Sequence, residues 1–200
     1  MYLYMTGHTS VTKAEFVDLV RDFYDANDYG SNSDKIIQSS LRRGAVKGPT
    51  GATPQQIQDY IYNMCSVHNM NVQAVWDWTA GYETDYDDLK NQLGQGIPVV
   101  WAMFDWNNGV NPLAKDVVPY YTYDDTTNTY DVAPEKGAAS HYVVATGLYE
   151  KVNDDGSVKR TVEISTWGRK RYVDYDEYVN FVSGTGENCF FSSITNTTLN

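Results

Sequence analysis

Apolar positions in the first quarter of the chain recur at helical spacing. Phe16, Leu19, Val20 and Phe23 fall three or four apart, and Thr12 stands three residues ahead of Glu15, as in a capping box. The pattern predicts a helix within Ser10 to Asn27. A second helix is expected over Ser33 to Arg43. A third opens at Thr53 with Pro54 in its first turn, carries Ile57, Tyr60, Ile61, Met64 and Cys65 on one face, and runs to His68. The opening MYLYM followed by Thr6 and Gly7 reads as the end of an apolar helix whose capping residue and first turn do not precede it.

From Asn71 the period shortens. VQAVW is a candidate strand, Tyr86 to Leu93 a short helix, and IPVVWAMF a near-continuous apolar run of the kind a central strand shows. The polar stretch from Asp105 to Lys136 contains a hairpin, Tyr120 to Asp125 against Tyr130 to Ala133, turning at Thr126 to Thr129. Strands follow at HYVVATGLYE, VKRTVEIST and GRKRYVDY, the first two joined by a tight turn at Asn153 to Gly156. A short helix near Asp176 to Phe181 and a strand at ENCFFSSI close the pattern. Helices first and strands second predict an α+β fold. The expected arrangement is one domain over residues 1–200, with its N-terminal helices packed on one side of an antiparallel sheet. Ile97 to Phe104 and His141 to Tyr149 are the expected central strands.

Charge narrows the partners. With 26 acidic and 15 basic residues the formal net charge is -11, a field that opposes phosphate backbones and anionic lipid, so nucleic acid is not expected. No apolar run approaches the roughly 18 residues that would cross a bilayer, and MYLYMTGHTS lacks the basic start and long apolar centre of a secretory signal. Seventeen tyrosines and five tryptophans among Asn-, Asp-, Gly- and Thr-rich loops give the composition of a secreted or cell-surface bacterial protein. Cys65 and Cys189 are far apart in sequence and are either bridged or free, with free and buried the plainer reading.

Proton-transfer chemistry near neutral pH points first to histidine, and there are three. His8 follows Gly7 in a turn and reads as solvated. His68 lies three residues after Cys65, but no two further ligands stand nearby to complete a zinc site. A mid-helix Cys-His pair would also lack oxyanion donors. The acidic turn at Asn153 to Gly156 does not have calcium-loop spacing, so no metal and no cofactor is expected. His141 opens its strand directly after the small residues Gly137, Ala138, Ala139 and Ser140, which leave room for a substrate chain. The following strand ends in Ser165-Thr166-Trp167-Gly168 and can bring Ser165 beside His141 if the two strands pair. The plainer alternative is a sheet-edge histidine satisfied by a hydrogen bond beside a core tryptophan.

Taken together, Gln95-Gly96-Ile97-Pro98-Val99, then His141-Tyr-Val-Val-Ala-Thr-Gly, then Ser165-Thr-Trp-Gly-Arg, then a Tyr-rich strand, resemble the second half of papain-like cysteine peptidases, in particular the bacteriocin-leader-peptidase-like (double-glycine peptidase-like) branch. The resemblance covers roughly Tyr86 to Asn180. It implies a papain-like fold, a peptide or protein substrate, His141 as the base, Ser165 in the place of the Asn or Asp that orients its ring, and Trp167 as the shield over both. It also implies a nucleophilic cysteine at the N-terminus of a central helix, ahead of the apolar stretch that Met1 to Met5 resemble. The chain begins after that position, so as given it is expected to be inactive. A serine is shorter than Asn or Asp and would hold the ring less firmly. A catalytically inactive peptide- or glycan-binding module on the same fold is therefore the alternative.

Overall fold

A computed structural model describes residues 10–26, 72–77, 82–103, 117–138, 141–185 and 191–196. The expected helices at Ser33 to Arg43 and Thr53 to His68, together with Met1, His8, Cys65 and Cys189, lie outside the described residues. The chain falls into two compact units, Met1–Ala74 with Asn196–Asn200, and Val75–Thr195.

In the first unit, helix α1 (Lys13–Ala26) begins as its sequence predicts. The Thr12 amide donates to Glu15 Oε2 at 2.7 Å and the Glu15 amide donates to Thr12 Oγ1 at 3.2 Å, a reciprocal cap that satisfies two otherwise orphaned donors.

The described residues contain eight strands: β1 (Val72–Asp77), β2 (Val99–Met103), β3 (Val118–Asp124), β4 (Thr129–Ala138), β5 (His141–Val152), β6 (Val158–Thr166), β7 (Arg169–Asp174) and β8 (Phe191–Asn196). They form one sheet in the order β1-β8-β2-β5-β6-β7-β3-β4. The pairs from β8 to β4 are antiparallel. Helices α2 (Tyr82–Gly94) and α3 (Tyr175–Thr185) belong to the second unit, with strands β2 to β7. The secondary-structure content is thus α+β, and the two apolar runs expected at the centre, now β2 and β5, are neighbours in the interior of the sheet.

Alternation decides which face is buried. Val99, Trp101 and Met103 of β2, Val143 and Ala145 of β5, Val162 and Ile164 of β6, Val173 of β7, and Val118 and Tyr120 of β3 form one cluster with Tyr86 and Leu89 of α2 and Tyr175 and Tyr178 of α3. Trp101 lies at its centre. Its ring is fully buried, stacks on Tyr175 at 6.2 Å and meets Tyr178 at 4.2 Å. Each such side chain contributes about 1.5–3 kcal/mol by leaving water. α2 ends in a Schellman motif that turns the chain into β2: the Ile97 amide donates to Gln92 O at 3.0 Å and the Gly96 amide to Leu93 O at 2.9 Å, with Gly96 at φ 74°. α3 starts because Asp174 Oδ1 accepts from the amides of Asp176 and Glu177 at 2.9 and 3.3 Å, with both acidic side chains in the positive first turn.

Several boundaries differ from the sequence expectation. α2 begins four residues before Tyr86, and the β3–β4 turn occupies Asp125–Asn128, one place earlier than the threonine run suggests. β4 continues through Pro134 to Ala138, where composition alone indicates a loop. Proline is tolerated there because β4 is the edge of the sheet and owes no ladder bond on its outer side.

At Gly137 the backbone has φ 154°, and an added Cβ would lie 2.1 Å from Val118 O. Gly137→Ala is therefore expected to lower unfolding free energy by more than about 1 kcal/mol, whereas Gly94→Ala, with no neighbour within 4 Å, should be neutral or stabilising by about 0.4–1 kcal/mol. Urea midpoints of the two variants test this contrast, and equal midpoints would refute it.

Candidate functional site

His141 projects from the first position of β5 on the core side of the sheet, at the end of the buried stripe formed by Val143 and Ala145. Across β2 it is paired with Met103. Its Nε2 lies 2.9 Å from Thr166 Oγ1, and its ring stacks on Trp167 at 4.6 Å and 21°. Burial pushes the imidazole below its ordinary pKa, so the neutral ring is favoured near pH 7.

Trp167 and Gly168 are the two loop residues of the β6–β7 hairpin, between the paired Thr166 and Arg169. Both have positive φ, 47° and 70°, as the type I′ turn of a two-residue hairpin requires. Glycine meets this freely, but a tryptophan in the left-handed region is uncommon and costs conformational energy. That conformation carries the indole back over His141. Trp167 remains 56% exposed, so it is a cover facing solvent rather than part of the core.

Behind the indole stands the buried Tyr120, 5.8 Å from it, with its hydroxyl 3.3 Å from Met103 Sδ. Burial, and secondarily the Glu135 carboxylate, push the Tyr120 phenol up, so it stays neutral. Glu135 itself is ion-paired with Arg171, whose Nη2 donates to Glu135 Oε2 at 3.2 Å and whose Nη1 donates to Lys170 O at 2.7 Å.

The structure brings His141 and Trp167 together and leaves Ser165 apart. Ser165 pairs with Val144 and Lys170, and its exposed side chain lies on the opposite sheet face, in a shallow hollow with Thr146, Glu163 and Arg169. The expected hydrogen bond from Ser165 to the imidazole is thus corrected to one with Thr166. Side chains alternate along a strand, and the Val144–Ser165 register assigns the His141 face to the even positions of β6. Val162, Ile164 and Thr166 share one parity in the sequence, but that this parity faces His141 follows only from the β5–β6 register. In the sequence Tyr120 is marked only as part of a hairpin.

Among the described residues no group of three or more His, Cys, Asp or Glu side chains is placed to hold a metal ion. No helix of the described residues is long and apolar enough to cross a membrane. The chain matches no known family, no curated protein and no solved structure.

The arrangement provides a base rather than a nucleophile: a neutral imidazole, fixed at one nitrogen by a hydroxyl and covered on one ring face. Because the folded pKa lies below the ordinary value of about 6.5, the unfolded chain binds the proton first as pH falls. Stability from this group should be independent of pH above about 6.5 and should decline below it until the folded ring titrates. An NMR titration of His141 should give a midpoint below 6.5, and Trp167→Ala, which admits water to the ring, should move it upward. An ordinary midpoint that Trp167→Ala leaves unchanged would refute the shielding role.

Proposed function

We propose that this chain carries the base-bearing part of a papain-like cysteine peptidase domain, which in its complete form hydrolyses peptide bonds. One observation carries the reading. An imidazole at the start of a central strand is held at Nε2 by a hydroxyl and covered by the tryptophan of the next hairpin turn, in the chain order of the resemblance. His141 takes the proton of the cysteine thiol, and the resulting thiolate attacks the scissile carbonyl, forming an acyl-enzyme as the peptide C–N bond breaks. Protonated His141 gives its proton to the leaving amine, and water, deprotonated by the same ring, then releases the acid product. On this geometry the orienting role that the resemblance gives to Ser165 passes to Thr166.

A second reading, a peptide- or glycan-binding module without catalysis, is favoured by the ring's partner. A threonine hydroxyl lacks the reach of an Asn and the charge of an Asp and fixes the tautomer less firmly.

The test compares the 200-residue chain with a form extended upstream through the cysteine that the resemblance implies, on a fluorogenic peptide mixture. The short chain should be inactive. The extended form should cleave, lose activity to an alkylating reagent, and lose about 10²-fold or more on His141→Ala. Alkylation-sensitive cleavage by the short chain would make Cys65 or Cys189 the nucleophile and overturn this account. An inactive extended form would favour the binding module.

A further inference from the structure

The opposite face of the sheet carries a second feature that the peptidase reading does not use. Tyr123 of β3, Tyr130 of β4, Tyr149 of β5 and Tyr172 of β7 come from four strands and pack in tilted and edge-to-face contacts, with ring centroids 5.0 Å apart for Tyr123 and Tyr130, 5.2 Å for Tyr130 and Tyr172, and 6.2 Å for Tyr149 and Tyr172. Tyr172 lies between the buried Arg171 and Val173 in sequence, so alternation turns it away from the core. Tyr123, Tyr130 and Tyr149 are 36–49% exposed. The rings edge a groove of about 700 Å³, within the range of small-ligand sites.

We propose that this groove binds a neutral oligosaccharide. Four of the eleven lining residues are tyrosine, and the other seven are all polar or charged, with no aliphatic side chain. A purely apolar ligand would leave that polar rim unpaired. The tyrosine rings contact one another at interplanar angles of 48–74°, so together they form a faceted aromatic platform. Charge also selects. Glu150 is ion-paired with Lys90 and Lys159 with Asp174, and the remaining rim charges, Asp125 and Lys151, are opposite in sign, which suits an uncharged ligand, while the chain's net charge of -11 disfavours stacking of nucleic-acid bases.

A sugar ring has a flat C–H face for an aromatic surface and hydroxyls that both donate and accept. A proline-rich segment offers mainly carbonyl acceptors and few donors, so it matches less well a rim that itself carries carboxylate, amide and hydroxyl acceptors. The platform is also pre-set. Tyr149 donates to Glu163 Oε2 at 2.9 Å and Tyr123 donates to Asn128 Oδ1, so little side-chain freedom remains to be lost on binding.

The probes are neutral hexamers of β-linked glucose and of N-acetylglucosamine, with a proline-rich decapeptide as the competing class, each titrated into the full chain and followed by NMR and calorimetry. At least one sugar should bind, with shifts centred on the four tyrosines. Tyr130→Ala and Tyr172→Ala should each weaken it by about tenfold or more, while His141→Ala changes nothing. Urea midpoints show whether each variant is folded, and Tyr130, on the edge strand, provides the test if Tyr172→Ala unfolds. Failure of both sugars at millimolar concentration, preferential binding of the peptide, or sugar shifts centred on His141 would overturn the proposal. Because peptide cleavage is assayed separately, loss of either activity leaves the other reading standing.

Discussion

The pairing of β2 with β5 is the constraint from which the rest of the second unit follows. Val99 opposite Ala145, Trp101 opposite Val143 and Met103 opposite His141 set one continuous buried stripe across the two interior strands. A slip of one residue would turn Trp101 and Met103 to the other face and put the much smaller Val100 where the indole sits, so packing around Trp101 fixes the register. Trp101 then determines where α3 lies, because Tyr175 and Tyr178 complete its surroundings. Tyr86 of α2 reaches Tyr175 at 4.9 Å and also donates its hydroxyl to Glu150 of β5, a carboxylate further held by Lys90 at 2.8 Å. Both helices are thus referenced to the same pair of strands.

The same register places the candidate site. His141 is the last rung of the β2–β5 ladder, where the buried stripe meets the sheet end and a polar ring can be half covered without breaking the core. The hairpins beyond it bring in the other groups: β6 delivers Thr166 at its final position, and the turn that follows delivers Trp167. An imidazole held in this way needs little reorganisation to accept a proton, since its partner and its cover are fixed by strands rather than by free loops.

Much of this was legible in the sequence, for identifiable reasons. The Thr12–Glu15 cap, the strand Val158–Thr166 and the apolar run containing Val99–Met103 are specified locally, by a motif of four residues or by unbroken periodicity. Those elements can be read without knowing the fold. What could not be read depends on pairing. Whether Ser165 or Thr166 faces His141 is a question of parity between β5 and β6, and a bulge between Ala145 and Gly147 shifts that parity partway along the ladder. The extent of β4 was hidden because Pro134 and Gly137 argue for a loop in any strand except one at the edge, and edge position is a property of the sheet.

Trp167 shows why a locally unfavourable residue can mark a site. The β6–β7 turn needs two residues at positive φ, and an Asn or a second Gly before Gly168 would satisfy it with less conformational cost. The tryptophan also stays more than half exposed, so its burial returns only part of what full enclosure would give. Neither turn formation nor core packing explains its presence. The contacts that remain are the stack on His141 and the tilted approach to Tyr120, and only the first alters a titratable group that reaches solvent. A residue that costs conformational energy, gives little to the core and shields an imidazole is better explained by what the imidazole does than by the stability of the fold.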